Sequence, residues 1–172
     1  MCMASLSGWF QVASKYNFLL VSVENHLNST ATETMALIEH IKEKYNVDSE
    51  RIYATGFSMG GCKSWDMFQE YPEVFAGLAP ASALFPIKNN PFGKSLEDGL
   101  NTTVPVPIFY SGGEKSHLGE LPFQSEAGLD RIQYAAEVNK LKKKFDVTYD
   151  DKENWENKIW GINGDRVEVV HD

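Results

Sequence analysis

A serine flanked by glycines is the feature of this sequence best suited to chemistry. Gly56, Ser58 and Gly60 form the pattern GxSxG within the run GFSMGG. A serine hydroxyl attacks a carbonyl carbon effectively only when a base beside it takes its proton. The spacing therefore predicts a nucleophile for an acyl-transfer reaction. The alternative is an ordinary tight turn in which Ser58 only caps a helix, and the neighbouring elements help to choose between the two.

The residues around the motif predict a strand, a sharp turn and a helix. Arg51 to Thr55 has the pattern of a short strand, and Cys62 to Tyr71 has helical character that ends at Pro72. A nucleophile elbow requires this order, because the serine must project from a strained turn at the end of a strand. We expect Gly56 and Gly60 to leave the room that the turn needs.

The chemistry predicted for Ser58 needs no cofactor. The main-chain N–H of Met59, at the start of the following helix, is predicted to donate to the oxyanion that forms when Ser58 attacks. The two cysteines, Cys2 and Cys62, do not form a metal-ligand spacing and are too few for a disulfide framework. We therefore predict neither a cofactor nor a metal site.

Upstream of the motif, apolar periodicity predicts a helix, a strand and a second helix. Leu6 to Tyr16 is amphipathic, and Phe18 to Val23 (FLLVSV) is typical of a buried strand. The second helix is predicted from capping residues at Asn28 to Thr30 and apolar residues from Met35 onward, and it ends near Tyr45.

Downstream, strands and one long helix continue the alternation. The helix is predicted over Gly128 to Lys144, and the basic run that ends it suits the negative end of a helix dipole. The strands are predicted at Phe75 to Ala79, Pro107 to Ser111, Val147 to Tyr149 and Arg166 to Val170. This order predicts one α/β domain over residues 1–172, with a mostly parallel sheet and helices on both faces.

Composition narrows the class of partner. The chain of 172 residues is 42% hydrophobic and carries a formal net charge of −8, with a pI near 5.0. Nucleic-acid binding needs a basic face, so a nucleic-acid partner is not expected. The sequence shows neither a run of about 18 apolar residues nor a secretion signal, so we expect no membrane partner. A neutral substrate suits this composition best.

The stretch VDSERIYATGFSMGG resembles the esterases related to polyhydroxybutyrate depolymerases and feruloyl esterases. The upstream stretch SGWFQVASKYNFLLVSVE, in which a tryptophan-bearing helix leads to a strand ending at an acidic residue, is also similar. The similarity covers about Ser7 to Ser111. It implies an α/β-hydrolase-type fold and hydrolysis of a carboxylic ester through an acyl-enzyme.

The resemblance also implies an acid and a histidine that follow the serine in the chain. Glu114, after the strand PIFYS, falls where the family places its acid, and Glu120 is a competitor. His171 is the histidine that fits the order, although it lies next to the terminus. His26 follows a predicted strand and is a candidate for lining a substrate cleft or an ordinary loop residue. The other two histidines are His40, expected on a surface helix, and His117, too near the acid to fit.

The resemblance implies parts that the sequence does not show. Earlier strands, a loop with a second oxyanion donor and a histidine after one more strand are all expected in the family. We therefore expect an incomplete α/β-hydrolase domain with exposed sheet edges, which a second copy could cover in a homo-oligomer. Relatives often work outside the cell, whereas the localisation of this chain stays unknown.

Three functions remain open at this point. The first is hydrolysis of a carboxylic ester, for which the resemblance implies substrates such as plant-wall feruloyl or acetyl esters, or short polyesters. The second is a non-catalytic or degenerate hydrolase-like domain that binds or assembles without a complete triad. The third is acyl transfer by the same nucleophile. The tryptophans have two alternative roles, which are stacking on a substrate and packing in the core. These residues are Trp9, Trp65, Trp155 and Trp160.

Overall fold

The computed structural model describes residues 7–24, 28–83, 101–112 and 133–141, together with the strand backbone of 146–149, 156–162 and 165–171. The helices are α1 (Trp9–Tyr16), α2 (Ala31–Lys44), α3 (Met59–Glu70) and the described part of α4 (133–138), with a 3-10 turn at Pro72–Val74. The strands are β1 (Tyr53–Phe57), β2 (Gly77–Ala81), β3 (Ile108–Gly112), β4 (Asp146–Tyr149), β5 (Glu156–Ile162) and β6 (Asp165–His171).

The six strands form one sheet in the order β1-β2-β3-β6-β5-β4. The first four strands of this order run parallel, whereas β5 pairs antiparallel with both β6 and β4. The predicted α/β class with a mostly parallel sheet is confirmed. Strand β5 was not predicted, because its sequence ENKIWGI has polar residues and a glycine where a buried strand would be continuously apolar.

Helix α3 is the centre of the described core. It crosses from β1 to β2 and packs on both, and all six residues from 64 to 69 are buried. Trp65 and Phe68 meet edge to face at 5.9 Å, and Phe68 meets Tyr134 of α4 in the same way at 6.3 Å. A helix buried on nearly every side is held by its surroundings rather than by one apolar stripe. The turn that precedes α3 is therefore attached to a fixed support.

Helix α2 agrees with its prediction at both ends. Thr30 caps it: the Thr30 hydroxyl accepts from the N–H of Glu33, and the Glu33 carboxylate accepts from the N–H of Thr30 at 2.7 Å. This reciprocal pair is a capping box. The pKa of the Glu33 carboxyl is lowered by the hydrogen bonds that it accepts from the Thr30 N–H and from the Thr30 hydroxyl. Ala31 is buried in the core and Thr32 bonds to the Tyr71 hydroxyl at 3.0 Å, so α2 is joined to the end of α3.

The predicted strand at Phe18 to Val23 is wrong. These residues form no strand, and Phe18, Leu19 and Val21 are exposed. A strand needs a neighbour for its main-chain groups, and β1 at the end of the sheet pairs only with β2 among the described strands. Helix α1 likewise contains no buried residue.

Helix α4 ends earlier than its sequence predicts. Lys140 adopts a left-handed conformation with φ of 57°, and the N–H of Leu141 donates to the carbonyl of Ala136. This bond pattern is a Schellman-type cap, which closes a helix. The Asn139 side chain also bonds back to the Ala135 carbonyl at 2.8 Å. Local polar capping thus overrides a helical periodicity that continues to Lys144. No helix within the described ranges is long and apolar enough to cross a membrane.

Candidate active site

Ser58 lies in a sharp turn between β1 and α3. Its backbone has φ of 53° and ψ of −114°, a conformation that serine rarely adopts. Its N–H donates to the carbonyl of Ala81 at 2.8 Å, and its carbonyl accepts from the N–H of Cys62 at 3.0 Å. Both main-chain groups are therefore engaged, and the turn is fixed between β2 and α3. The side chain makes no capping hydrogen bond to α3.

The two glycines of the motif have different roles in this turn. A Cβ on Gly56 would lie 2.3 Å from the carbonyl carbon of Gly60, far inside van der Waals contact. A Cβ on Gly60 would meet no atom of the described residues within 4 Å. The expectation that both glycines make room is thus wrong for Gly60. The strand side of the turn must lack a side chain because the helix backbone passes directly over it.

The start of α3 presents the N–H group that the sequence predicts as an oxyanion donor. Met59 is the first residue of α3, and the first N–H groups of a helix have no partner within it. Among the described residues, none accepts a hydrogen bond from the Met59 N–H. The first turn of α3 carries no acidic side chain to neutralise the positive end of the helix dipole. An anion formed next to Ser58 would meet an available donor.

A second left-handed serine follows the neighbouring strand. Ser82 has φ of 49°, and its N–H donates to the carbonyl of Ser111 at the end of β3. The next residue, Ala83, accepts a buried hydrogen bond from the indole N–H of Trp65 at 2.7 Å. Each bond ties the end of one element to the next. The carboxyl ends of β1, β2 and β3 are thereby held in one row.

Gly61, in the first turn of α3, packs against this row of strand ends, and sequence reasoning missed its role. A Cβ there would lie 2.7 Å from the Cβ of Ala83 and 3.0 Å from the Ala81 carbonyl oxygen. The third glycine of GFSMGG allows α3 to approach the turn after β2. Its presence directly after the motif was the available signal, since nothing in a simple elbow demands it.

Of the acid and the histidine predicted to act with Ser58, only His171 lies in the described part of the chain, where its strand backbone is placed. Glu114, Glu120, His117 and His26 lie outside the described residues, although β3 ends at Gly112, two positions before Glu114. His171 is the last residue of β6 and is paired with Gly112. Ser58 and His171 therefore lie at the same edge of the sheet. Three strand spacings separate β1 from β6, so their backbones are about 14 Å apart.

The remaining predicted residues are distributed as follows. His40 is exposed on α2, 3.9 Å from the Glu43 carboxylate, which agrees with a surface role. Trp65 is buried, which agrees with core packing rather than substrate stacking. Trp9 meets Phe18 edge to face at 6.4 Å in the exposed N-terminal part. Trp155 is outside the described residues. Within the described ranges, no group of three His, Cys, Asp or Glu residues is placed to hold a metal ion.

Two curated proteins match part of the chain. One is the bifunctional acetylxylan esterase/xylanase XynS20E of Neocallimastix patriciarum, 35% identical over 77 residues, which are 45% of this chain and 10% of that protein. The other is poly(3-hydroxyalkanoate) depolymerase C of Paucimonas lemoignei, 39% identical over 44 residues, which are 26% of this chain and 11% of that protein. The matches thus span about a tenth of either relative. No protein-family model matches the chain.

A solved structure matches nearly the whole chain. The acetyl xylan esterase from Aspergillus awamori superposes with a TM-score of 0.61 at 15% identity, over 95% of this chain and 74% of that one. At this identity the match shows the fold. Together with the two curated relatives, it confirms the predicted similarity to esterases of the α/β-hydrolase type.

Proposed function

We propose that this protein is a serine carboxylic-ester hydrolase with Ser58 as its nucleophile. The observation that carries the proposal is the turn at Ser58. A serine in a left-handed conformation is held between a strand and a helix, and the N–H of Met59 beside it has no acceptor among the described residues. Strain of this kind persists where the surroundings enforce it, and it is frequent at reactive residues.

The reaction follows from these groups. The Ser58 oxygen forms a bond to the ester carbonyl carbon, and a base takes the hydroxyl proton. The carbonyl oxygen becomes an oxyanion and accepts a hydrogen bond from the Met59 N–H. The bond to the alcohol oxygen then breaks, and the protonated base returns its proton to the leaving alcohol. Water hydrolyses the resulting acyl-serine by the same steps, which releases the acid and restores Ser58.

Glu114 and His171 are the residues that we propose as acid and base. In the sequence, Glu114 comes two positions after Gly112, the last residue of β3. A base must lie within about 3 Å of the serine hydroxyl, directly or through one water. The separation of about 14 Å between β1 and β6 means that His171 would have to leave the ladder and pass two strands to act. His171 is therefore the least supported member of the triad.

The relatives' names suggest the substrate class. Both a curated relative and the structural match are acetylxylan esterases, and the other curated relative is a polyester depolymerase. We propose a short acyl group, acetate first, esterified to a neutral sugar polymer. Feruloyl esters and short polyesters are the next candidates. The net charge of −8 agrees with a substrate that is not anionic.

A non-catalytic binding or assembly domain is the second candidate. The distance between β1 and β6 favours it, since a serine without a base is a poor nucleophile. Acyl transfer to an alcohol other than water uses the same acyl-serine, and product analysis with added alcohol would separate it from hydrolysis.

A fluorophosphonate probe tests the proposal directly. We expect covalent labelling and turnover of a nitrophenyl ester series, fastest with acetate, and loss of both in Ser58→Ala. Ser82→Ala is the matched control, because this serine also has a positive φ and follows the end of the next strand. Labelling that Ser82→Ala abolishes and Ser58→Ala retains would contradict the assignment. No labelling at all would favour the binding domain. His171→Ala and Glu114→Gln then test the other two roles.

A further inference from the structure

The outer edge of β1 is open among the described strands. Its only strand neighbour there is β2. The carbonyl of Ile52 and the N–H of Ser58 both bond toward β2. In a parallel ladder, alternate residues direct both main-chain groups to the same side. Tyr53, Thr55 and Phe57 therefore direct their N–H and carbonyl groups away from the sheet.

Large apolar side chains accompany this open edge. Tyr53 is 66% exposed and Phe57 is 59% exposed. An exposed edge with such side chains invites pairing with another strand, and natural proteins normally blunt it with charge, proline or a covering element. Neither proline nor a charged residue occurs within β1.

The same chain carries a segment whose sequence is suited to pair with this open edge. Residues 18–23 have the sequence FLLVSV, which is typical of a strand, yet they belong to no strand of the sheet. Leu19 is 52% exposed and Val21 is 46% exposed. Helix α1, which precedes this segment, has no buried residue. The outer edge of β1 and residues 18–23 are thus both exposed, and the structure does not pair them with each other.

We propose that two copies of this chain exchange these segments, so that residues 18–23 of each copy pair antiparallel with β1 of the other. The proposal is independent of the proposed function. Charge selects the direction and the register. When Phe18 is set opposite Phe57, Leu20 lies opposite Thr55 and Glu24 lies opposite Arg51. The ladder then has an aromatic pair at one end and an opposite-charge pair at the other, and both kinds of cross-strand pair are stabilising.

Glu24 and Arg51 are both available for this contact. Both residues are exposed. The guanidinium of Arg51 contacts Asp48 through Nε, at 2.6 Å from the carboxylate oxygen, and this contact raises the pKa of Arg51. The contact with Asp48 uses one of the three guanidinium nitrogens, and a guanidinium group can bind a second carboxylate. Because the exchange is reciprocal, a two-fold axis would close the dimer and cover both edges.

Sedimentation equilibrium with charge-reversal variants tests the exchange. We expect a concentration-dependent dimer. Glu24→Arg and Arg51→Glu should each raise the dimer dissociation constant by about 10- to 30-fold, since each reversal affects two symmetric pairs. The double variant should restore dimerisation. A dimer that both single variants leave unchanged would overturn the register, and a monomer at all concentrations would overturn the proposal.

A second pair of variants tests the segment without changing Arg51 or Glu24. Val21→Lys should dissociate the dimer, whereas Tyr45→Lys, which places the same charge on another exposed apolar residue at the end of α2, should not. Equal effects would contradict the exchange. Amide hydrogen exchange at Thr55 gives a further readout, because its N–H should become protected as the dimer forms. Protection of that N–H in a monomer would show that another part of the chain covers the edge, and would also overturn the proposal.

Discussion

Replacing Gly56 with alanine should destabilise the protein, whereas replacing Gly60, the other glycine that flanks Ser58, should not. The new Cβ would lie 2.3 Å from the carbonyl carbon, 2.4 Å from the oxygen and 2.7 Å from the Cα of Gly60. All three atoms are backbone, so a rotamer change cannot relieve the contact. Overpacking of this kind costs about 3 kcal/mol. The Cβ of Gly60→Ala meets nothing within 4 Å in the described part of the chain, and alanine in place of glycine in a helix stabilises by about 0.5–1 kcal/mol.

Urea and thermal unfolding measure this difference. The two variants should differ by about 4 kcal/mol, which for a domain of this size corresponds to roughly 10 °C in Tm. The urea m-value should be the same for both, because neither substitution changes the surface exposed on unfolding. Under the proposed function, Gly56→Ala should also lower kcat/KM by at least about 100-fold, through displacement of Ser58. Equal destabilisation by the two substitutions would refute the geometry of the turn described here.

Three further predictions concern the support of the turn. Thr30→Ala should destabilise by about 1 kcal/mol through loss of the capping box, and Thr30→Ser should not, as read from urea unfolding. Trp65→Phe keeps an aromatic ring but leaves the Ala83 carbonyl without its buried donor, and should cost about 1–3 kcal/mol in the same assay. Burial raises the pKa of Tyr134 to about 12, so its phenol should ionise above pH 10. Because the unfolded chain ionises first, the stability this group contributes should fall between pH 10 and 12. Ultraviolet titration of Tyr134→Phe should lose a step above pH 10. An unchanged titration would contradict this assignment.

The parts of the fold that the sequence predicted are those set by local rules. The capping residues predicted at Asn28 to Thr30 include Thr30, the observed cap of α2, because a helix cap depends only on neighbours in the chain. The strand, turn and helix around Ser58 were predicted for the same reason. Strand β2 was predicted two residues early, since Phe75 is as apolar as the strand that follows it.

The errors arise where distant residues decide the outcome. Whether Phe18 to Val23 forms a strand depends on a neighbour that local sequence does not specify. Ser82 could not be assigned to the site because its importance comes from a hydrogen bond with Ser111, which belongs to another strand. The place of Gly61 directly after the motif was a signal, but its close approach to Ala83 is visible only in the fold. The acid and the base follow from chain order alone, so Glu114 and His171 stay predictions.

The compact unit β1-α3-β2 has a consequence for the order in which the protein folds. Its contacts join residues between Tyr53 and Ala81, whereas the pairing of β3 with β6 joins residues as distant in the chain as Ile108 and Val167. Local contacts form faster than those that close long loops. During synthesis from the N-terminus, this unit would leave the ribosome well before β6 is translated. Ser58 would then acquire its left-handed conformation early, and the C-terminal half would assemble onto an edge that is already in place.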